Sequence, residues 1–99
     1  MAAEPVTVIA RIRAKIGLED RVYQELTKLL APTRAEAGCL NYDMHRNLED
    51  PSLFLFHETW ASEAALNRHF QTAHIAHWLS VIPEVCAEPL EVTRWTRVG

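Results

Sequence analysis

Length, composition and charge limit what this chain can be. Ninety-nine residues suffice for one domain with a modest core but not for two. Hydrophobic residues make up 48% and charged residues 23% of the chain, which is ordinary for a globular domain. The net charge of −3 argues against nucleic-acid binding, and no apolar run reaches the roughly 20 residues of a membrane span.

Two further features of the sequence bear on the cellular compartment of the protein. The first five residues, MAAEP, lack the basic and apolar segments of a secretory signal. Cys39 and Cys86 have no metal-type spacing, and two cysteines do not make a disulfide scaffold. We therefore expect a cytoplasmic protein with reduced thiols, folded as a single domain over residues 1–99 with its core in about 6–95.

The first two predicted elements are a strand and a helix. Residues 6–14 alternate apolar and polar side chains, which is typical of a strand. From Leu18 to Thr33 the apolar residues follow helical spacing. Pro32 should kink or end this helix because it removes a backbone hydrogen bond, and Gly38 is a natural stop.

A hairpin follows the first helix. Residues 39–46 alternate again, residues 47–52 form a turn marked by Asp50-Pro51, and residues 53–60 form the next strand. Two strands joined by so short a connection favour an antiparallel hairpin.

The remaining elements are helices and a last strand. Ser62 suits the N-cap of a helix. One face of this helix carries Ala65, Leu66, His69 and Phe70. A second short helix is predicted over 74–81, ending before Pro83, and the alternation of residues 90–98 predicts a fourth strand.

The order β-α-β-β-α-β predicts an α+β, ferredoxin-like fold, with a four-stranded antiparallel sheet and the helices on one face. The other face would be partly apolar. It would carry Ile9, Leu53, Leu55 and Trp95 among Arg11, His45 and His57. Because an exposed apolar face is unfavourable for a monomer, we expect a homodimer in which two sheets pack together.

Three residues between the third strand and the following helix are candidates for chemistry. Glu58 and Trp60 share the inward face of the strand, where burial would raise the pKa of the carboxyl group. His69 lies on the helix face nine residues later and can approach the same cavity, so it is the preferred acid–base group. Each also has a purely structural interpretation: a core tryptophan, a paired glutamate and a half-buried histidine.

The histidine-rich segment raises the question of a metal. His69, His74 and His77 together with Glu58 could hold an ion or approach a haem. The H-x4-H-x2-H spacing crosses a predicted helix break and matches no metal motif. Phosphate-binding loops, nucleophile elbows and the motifs for nicotinamide or flavin are absent too, so we predict neither metal nor cofactor.

Several segments together resemble one family. They are VTVIARIRAKIG, APTRAEAGCLNYDMHRNLEDP and FLFHETWASEAALNRHFQTAHI. The markers are Gly38-Cys39 with Tyr42, the E-x-W of Glu58 and Trp60, and the A-L-x-x-H that ends at His69, followed by His74. On these the chain resembles the antibiotic biosynthesis monooxygenase (ABM) domain family, in particular its small quinol-monooxygenase-like members, over roughly residues 6–95.

The resemblance implies a dimeric α+β barrel with a pocket in each subunit between sheet and helices. It also implies oxidation of phenolic or quinol substrates by O2 without flavin, metal or haem. Trp60 matches the pocket tryptophan of the polyketide-oxidising members. Their pocket asparagine is Phe56 here and their tyrosine is Leu66, so two polar contacts become apolar.

Haem-degrading relatives fit less well. Where they have a first-strand asparagine, this chain has Ala10. Their tryptophan corresponds to about His69, and their ligand histidine falls near Leu79. None of the three matches, so haem degradation is disfavoured.

The sequence therefore predicts a cofactor-independent monooxygenase that acts on a small aromatic substrate with O2. The alternatives are a non-catalytic dimeric domain that binds a small ligand, or an isomerase of a small carbonyl compound. The predicted catalytic residues are His69, Trp60 and Glu58. The predicted substrate-binding residues are Tyr42, Phe54, Phe56, Leu66, His74 and Trp78.

Overall fold

A computed structural model describes residues 4–99 of the chain. Residues 1–3, which belong to the segment MAAEP and to the predicted domain, lie outside the described residues. Seven elements follow one another in the order β-α-β-β-α-α-β. They are β1 (Val6–Arg13), α1 (Glu19–Arg34), β2 (Cys39–Arg46), β3 (Leu53–Trp60), α2 (Glu63–His69), α3 (Ala73–Val85) and β4 (Glu91–Trp95).

The four strands form one antiparallel sheet in the order β2-β3-β1-β4. This order is the predicted ferredoxin-like arrangement, and it places β3 and β1 at the centre. Alternate residues of the central strands, such as Val8, Phe54 and Trp60, are buried against helix residues Leu26 and Leu66. The helices therefore cover one face of the sheet, and the core lies between the two layers.

The structure contradicts the predicted helix end at Pro83, whereas the helix that contains Pro32 ends soon after that proline. α1 continues past Pro32 to Arg34, and α3 continues past Pro83 to Val85. Thr33 and Val85 are almost fully buried, so packing of the last turn offsets the single hydrogen bond that each proline removes. The Val85 carbonyl also accepts a hydrogen bond from the Lys15 N–H at 2.8 Å.

The other predicted boundaries need smaller corrections. The helical region after β3 is divided, as expected, but α3 begins at Ala73 rather than His74. β4 is shorter than the alternating run 90–98 and pairs with β1 only over Glu91–Trp95. The Ser62 N-cap is confirmed, because its hydroxyl accepts a hydrogen bond from the Ala65 N–H.

Gly38 fixes the turn between α1 and β2. Its φ of +87° lies in the left-handed region, and a Cβ added there would stand 2.5 Å from the Cβ of Ala65. Only glycine allows this turn to approach α2 so closely. The turn thereby places Glu36 beside His69, the last residue of α2.

Within residues 4–99, no helix combines the length and the apolar character needed to cross a membrane.

Candidate functional site

A small cavity of about 40 Å³ lies between the sheet and the helices. Its polar lining comes from Tyr42, Glu58 and His69, and the rest of the lining is apolar, including the rings of Phe56 and Trp78. An apolar cavity with few convergent polar groups is typical of a site for a small organic ligand.

The cavity is much smaller than the roughly 300 Å³ at which ligand pockets usually begin. A ring-sized ligand therefore requires some lining side chains to move. Phe70, Leu79 and Val92 all line the cavity and are partly exposed. They are the most exposed of the lining side chains, so we expect them to move when a ligand enters.

His69 is the central group of the site. It ends α2, is 2% exposed and lies with its ring 4.6 Å from that of Trp60. Its Nδ1 is 2.7 Å from Oε2 of Glu36. Because a carboxylate only accepts, this contact places the ring proton on Nδ1 and leaves Nε2 as a hydrogen-bond acceptor.

Sequence reasoning missed Glu36. The same Oε2 that accepts from His69 also lies 2.8 Å from Nε2 of His74. Thirty-three and 38 positions separate Glu36 from these histidines, so no helical or strand period connects them. The available signal was its place two residues before Gly38, the glycine that carries the turn towards α2.

The three donor atoms of Glu36, His69 and His74 lie within 4.8 Å of one another. The metal hypothesis weighed from the sequence combined three histidines with Glu58. In the structure, Glu58 is instead hydrogen-bonded to Trp60, and His77 lies 3.2 Å from the carboxylate of Glu25. If the site holds a metal, Glu36 is the carboxylate that can serve as a ligand.

Glu58 is a second titratable group in the cavity. It is buried on β3 and accepts a hydrogen bond of 2.9 Å from the indole N–H of Trp60. Burial raises the pKa of Glu58 to about 7, the Trp60 bond opposes that rise, and the negative charge of Glu36 adds to it. The carboxyl group can therefore change its protonation state near neutral pH.

Burial also decides the charge of the other two polar groups. It raises the pKa of Tyr42 well above the ordinary value, so the phenol keeps its proton. It lowers the pKa of His69, and the carboxylate of Glu36 opposes this only in part. Tyr42 can thus donate a hydrogen bond, while His69 is a neutral imidazole that can accept a proton.

The structure brings five of the nine predicted site residues to the cavity wall. They are Tyr42, Phe56, Glu58, His69 and Trp78. Trp60, Phe54 and Leu66 are fully buried in the core behind that wall. His74 contacts Glu36 outside the cavity. Trp60 therefore acts on the cavity through its contacts with His69 and Glu58.

A larger groove of about 870 Å³ crosses the opposite face of the sheet. Leu40, His57 and Trp95 contribute to it, and all three are exposed. The described residues around it include no buried titratable group. The smaller cavity, where such groups converge, is therefore the candidate site.

Comparison with known proteins gives a consistent result. The profile of the family described as "Antibiotic biosynthesis monooxygenase" matches residues 5–80. The chain is 33% identical over 89 residues to a Mycobacterium tuberculosis protein named "Putative monooxygenase Rv0793", covering 90% of this chain and 87% of that one. The structure of Rv0793 superposes with a TM-score of 0.92, covering 97% of each chain.

Two other relatives extend this similarity. The crystal structure of PA3566 from Pseudomonas aeruginosa is 35% identical, with a TM-score of 0.93, and the match covers 100% of this chain and 99% of that one. The Synechocystis protein sll1783 is 30% identical over 91 residues, which is 92% of this chain. The chain spans only 62% of that relative's length.

Proposed function

Since this chain belongs to the antibiotic biosynthesis monooxygenase family, we propose that it oxidises a small phenolic or quinol-like aromatic compound with O2, without a cofactor. The observation that carries the proposal is the neutral, Glu36-bound His69 in an apolar, aromatic cavity. Family membership supports a monooxygenase; the cavity supports the class of substrate.

The first step of the proposed reaction is removal of a proton from the substrate hydroxyl, which precedes electron transfer to O2. A neutral phenol gives up an electron reluctantly, whereas its phenolate can transfer one to O2. Nε2 of His69 accepts the substrate's hydroxyl proton, and Glu36 stabilises the resulting imidazolium through Nδ1. In the overall reaction one oxygen atom enters the substrate, and the other leaves as water with two hydrogens of the substrate.

The remaining polar groups suit the anions that form along this path. The Tyr42 hydroxyl can donate a hydrogen bond to a developing oxyanion. The protonated form of Glu58 can donate as well, and its ionised form can accept a second proton. Phe56 and Trp78 provide apolar ring surfaces on which a planar substrate can pack.

The lining also favours an uncharged substrate. No lysine or arginine lines the cavity among the described residues. A carboxylated substrate would therefore lack a counter-charge in an apolar environment. For the same reason the isomerase alternative is less favourable, because an enolate needs a cationic partner or several donors.

The test is oxygen uptake by purified, metal-free protein with a panel of dihydroxynaphthalenes and quinols. We expect uptake above background with at least one compound. We also expect His69→Ala to lower kcat by about 10²–10⁴-fold, since a general base contributes that much. His77→Ala is the matched control, because His77 does not line the cavity and lies instead beside Glu25.

Two outcomes would contradict the proposal. One is the absence of uptake across the panel, and the other is wild-type turnover by His69→Ala. Tight binding of the same compounds without oxygen consumption would favour the non-catalytic binding domain instead.

We further propose that the protein is a homodimer through the open face of the sheet. Apolar side chains such as Ile9, Leu53 and Leu55 are only partly covered there, and Trp95 is 57% exposed. Packing two such faces together would bury this surface in both subunits.

A further inference from the structure

Glu36, His69 and His74, which we call the Glu–His–His cluster, come together from three separate segments. Glu36 lies in the turn between α1 and β2, His69 ends α2, and His74 is the second residue of α3. Both imidazoles approach the same carboxylate oxygen. We propose that this cluster is a binding site for a divalent transition-metal ion such as Zn²⁺.

The donor set selects the class of ion. Two imidazole nitrogens and one carboxylate oxygen are the ligands with which proteins bind Zn²⁺ at sites that keep one position open for water. Mg²⁺ and Ca²⁺ prefer shells made of oxygen atoms. Co²⁺, Ni²⁺ and Cu²⁺ share the preference for imidazole, so they are expected to compete for the same site.

Two of the three ligand pairs need only a small adjustment, and the two imidazole nitrogens lie within 4.8 Å of each other. Ligands of a tetrahedral zinc ion lie about 3.3 Å apart, and the two nitrogen–oxygen contacts are now 2.7 and 2.8 Å. The His69 side chain is almost fully buried, but those of Glu36 and His74 are 14% and 21% exposed. These two can move apart by about half an ångström, and they give the ion access from solvent.

The backbone around the cluster is already fixed. The Glu36 N–H donates to the Thr33 carbonyl at 3.0 Å, and the Glu36 carbonyl accepts from the Cys39 N–H at 3.2 Å. At the junction of α2 and α3, the Thr72 hydroxyl donates to the His69 carbonyl at 2.8 Å. Ligands on a rigid backbone lose little conformational freedom when the ion binds.

Metal binding would change what His69 presents to the cavity. In the metal-free state, Nδ1 carries the proton and Nε2 is an acceptor. An ion on Nδ1 takes that lone pair, so the proton of the neutral ring moves to Nε2, which then donates. The ion would thus prevent His69 from accepting the substrate proton; this consequence, unlike the binding itself, rests on the proposed function.

Calorimetric titration of the tag-free protein with Zn²⁺ tests the site directly. We expect saturable binding of one ion per chain, weakened at least about tenfold by both Glu36→Gln and His74→Ala. His77→Ala is the control: His77 is on the same helix but pairs with Glu25, so its loss should leave the affinity unchanged. No saturable binding, or equal affinity in all variants, would overturn the proposal.

Two measurements on the wild-type protein do not depend on how the variants fold. Co²⁺ should produce a visible d–d absorption that one equivalent of Zn²⁺ removes, and its absence would count against the site. Nitrogen-15 NMR of the imidazoles should show Nε2 of His69 becoming protonated when Zn²⁺ is added. An Nε2 that stays unprotonated in the zinc-bound protein would overturn the tautomer change.

Oxygen uptake then separates this inference from the proposed function. Stoichiometric Zn²⁺ should suppress uptake in the wild type, and a chelator should restore it. Uptake that persists in the zinc-loaded protein would refute the inhibitory effect. If the metal-free protein shows no uptake at all, the proposed function fails, while the calorimetric and NMR results still decide the metal site.

Discussion

The two faces of the sheet have similar residue types but very different environments. On the covered face, β3 contributes Phe54, Phe56, Glu58 and Trp60, which are all buried. On the open face, the intervening residues of the same strand include Leu55, which is partly covered, and His57, which is exposed. Both faces thus combine apolar and titratable side chains on one strand.

The difference lies in what surrounds the titratable groups. His69, opposite the covered face, is desolvated and held by a carboxylate from a distant turn. The His57 ring lies 3.2 Å from the amide nitrogen of Asn41, on the adjacent strand, and remains exposed. Histidine and glutamate are therefore useful for chemistry here only where a second layer removes water and supplies fixed partners.

The largest expected effect concerns Gly38, in the turn between α1 and β2. Gly38→Ala should lower the free energy of unfolding by about 2–5 kcal/mol, because the new methyl group would clash with Ala65 and the residue would occupy a left-handed conformation. Gly17→Ala is a matched control, since Gly17 has the same φ of +87° but no atom within 4 Å of the added Cβ. It should lose only about 1–2 kcal/mol.

Urea denaturation of both variants measures this difference. Equal losses in the two variants would mean that the contact between the turn and α2 contributes nothing, and that backbone strain alone sets the cost.

A smaller effect concerns the ionisation of Glu58, which is buried on the covered face of the sheet. The pKa of Glu58 is about 7 in the folded protein, above its value of about 4.3 in an unfolded chain. Folding therefore favours the protonated form. The contribution of Glu58 to stability is complete below about pH 4.3 and is lost as the pH rises through 7.

Glu58→Gln should remove this dependence, since glutamine keeps the acceptor for the Trp60 N–H but does not ionise. Between pH 5 and 8, the wild type should lose about 2–3 kcal/mol relative to the variant. Parallel urea denaturation across this range checks the prediction. Curves that stay parallel for the two proteins would show that Glu58 titrates normally.

The smallest effect on the fold itself concerns the open face. Leu55→Asp should change the stability of the monomer by no more than about 1 kcal/mol, because the new carboxylate would lie opposite Arg11. It should nevertheless convert the proposed dimer to a monomer in sedimentation. Leu48→Asp, at a fully exposed turn residue, should remain dimeric.

A wild-type protein that sediments as a monomer at micromolar concentration would refute the proposed dimer. The open face of the sheet would then remain uncovered by a second subunit.

Local patterns in the sequence predict most of the fold. The alternation in residues 39–46 and the turn signal before residue 53 give both strands of the hairpin with the bounds found in the structure, because both signals are local properties of the chain. Ser62 likewise marks the start of α2, since an N-cap acts on residues only three positions away.

Predictions fail where distant packing outweighs a local signal. Pro83 is a helix breaker by its backbone chemistry, yet α3 continues to Val85 because the core takes up that side chain. Glu36 was missed for a related reason. Its partners come from other elements, and no local period connects an isolated turn residue with the histidines of two later helices.

The contact between Gly38 and Ala65 limits which substitutions these two positions can accept during evolution. A larger side chain at either position would push the α1–β2 turn away from α2 and separate Glu36 from His69. Neither position can therefore accept a bulky residue unless the other element shifts as well. Among relatives that keep this carboxylate–imidazole pair, the two positions should vary together and stay small, whereas relatives that have lost the pair should be free to differ.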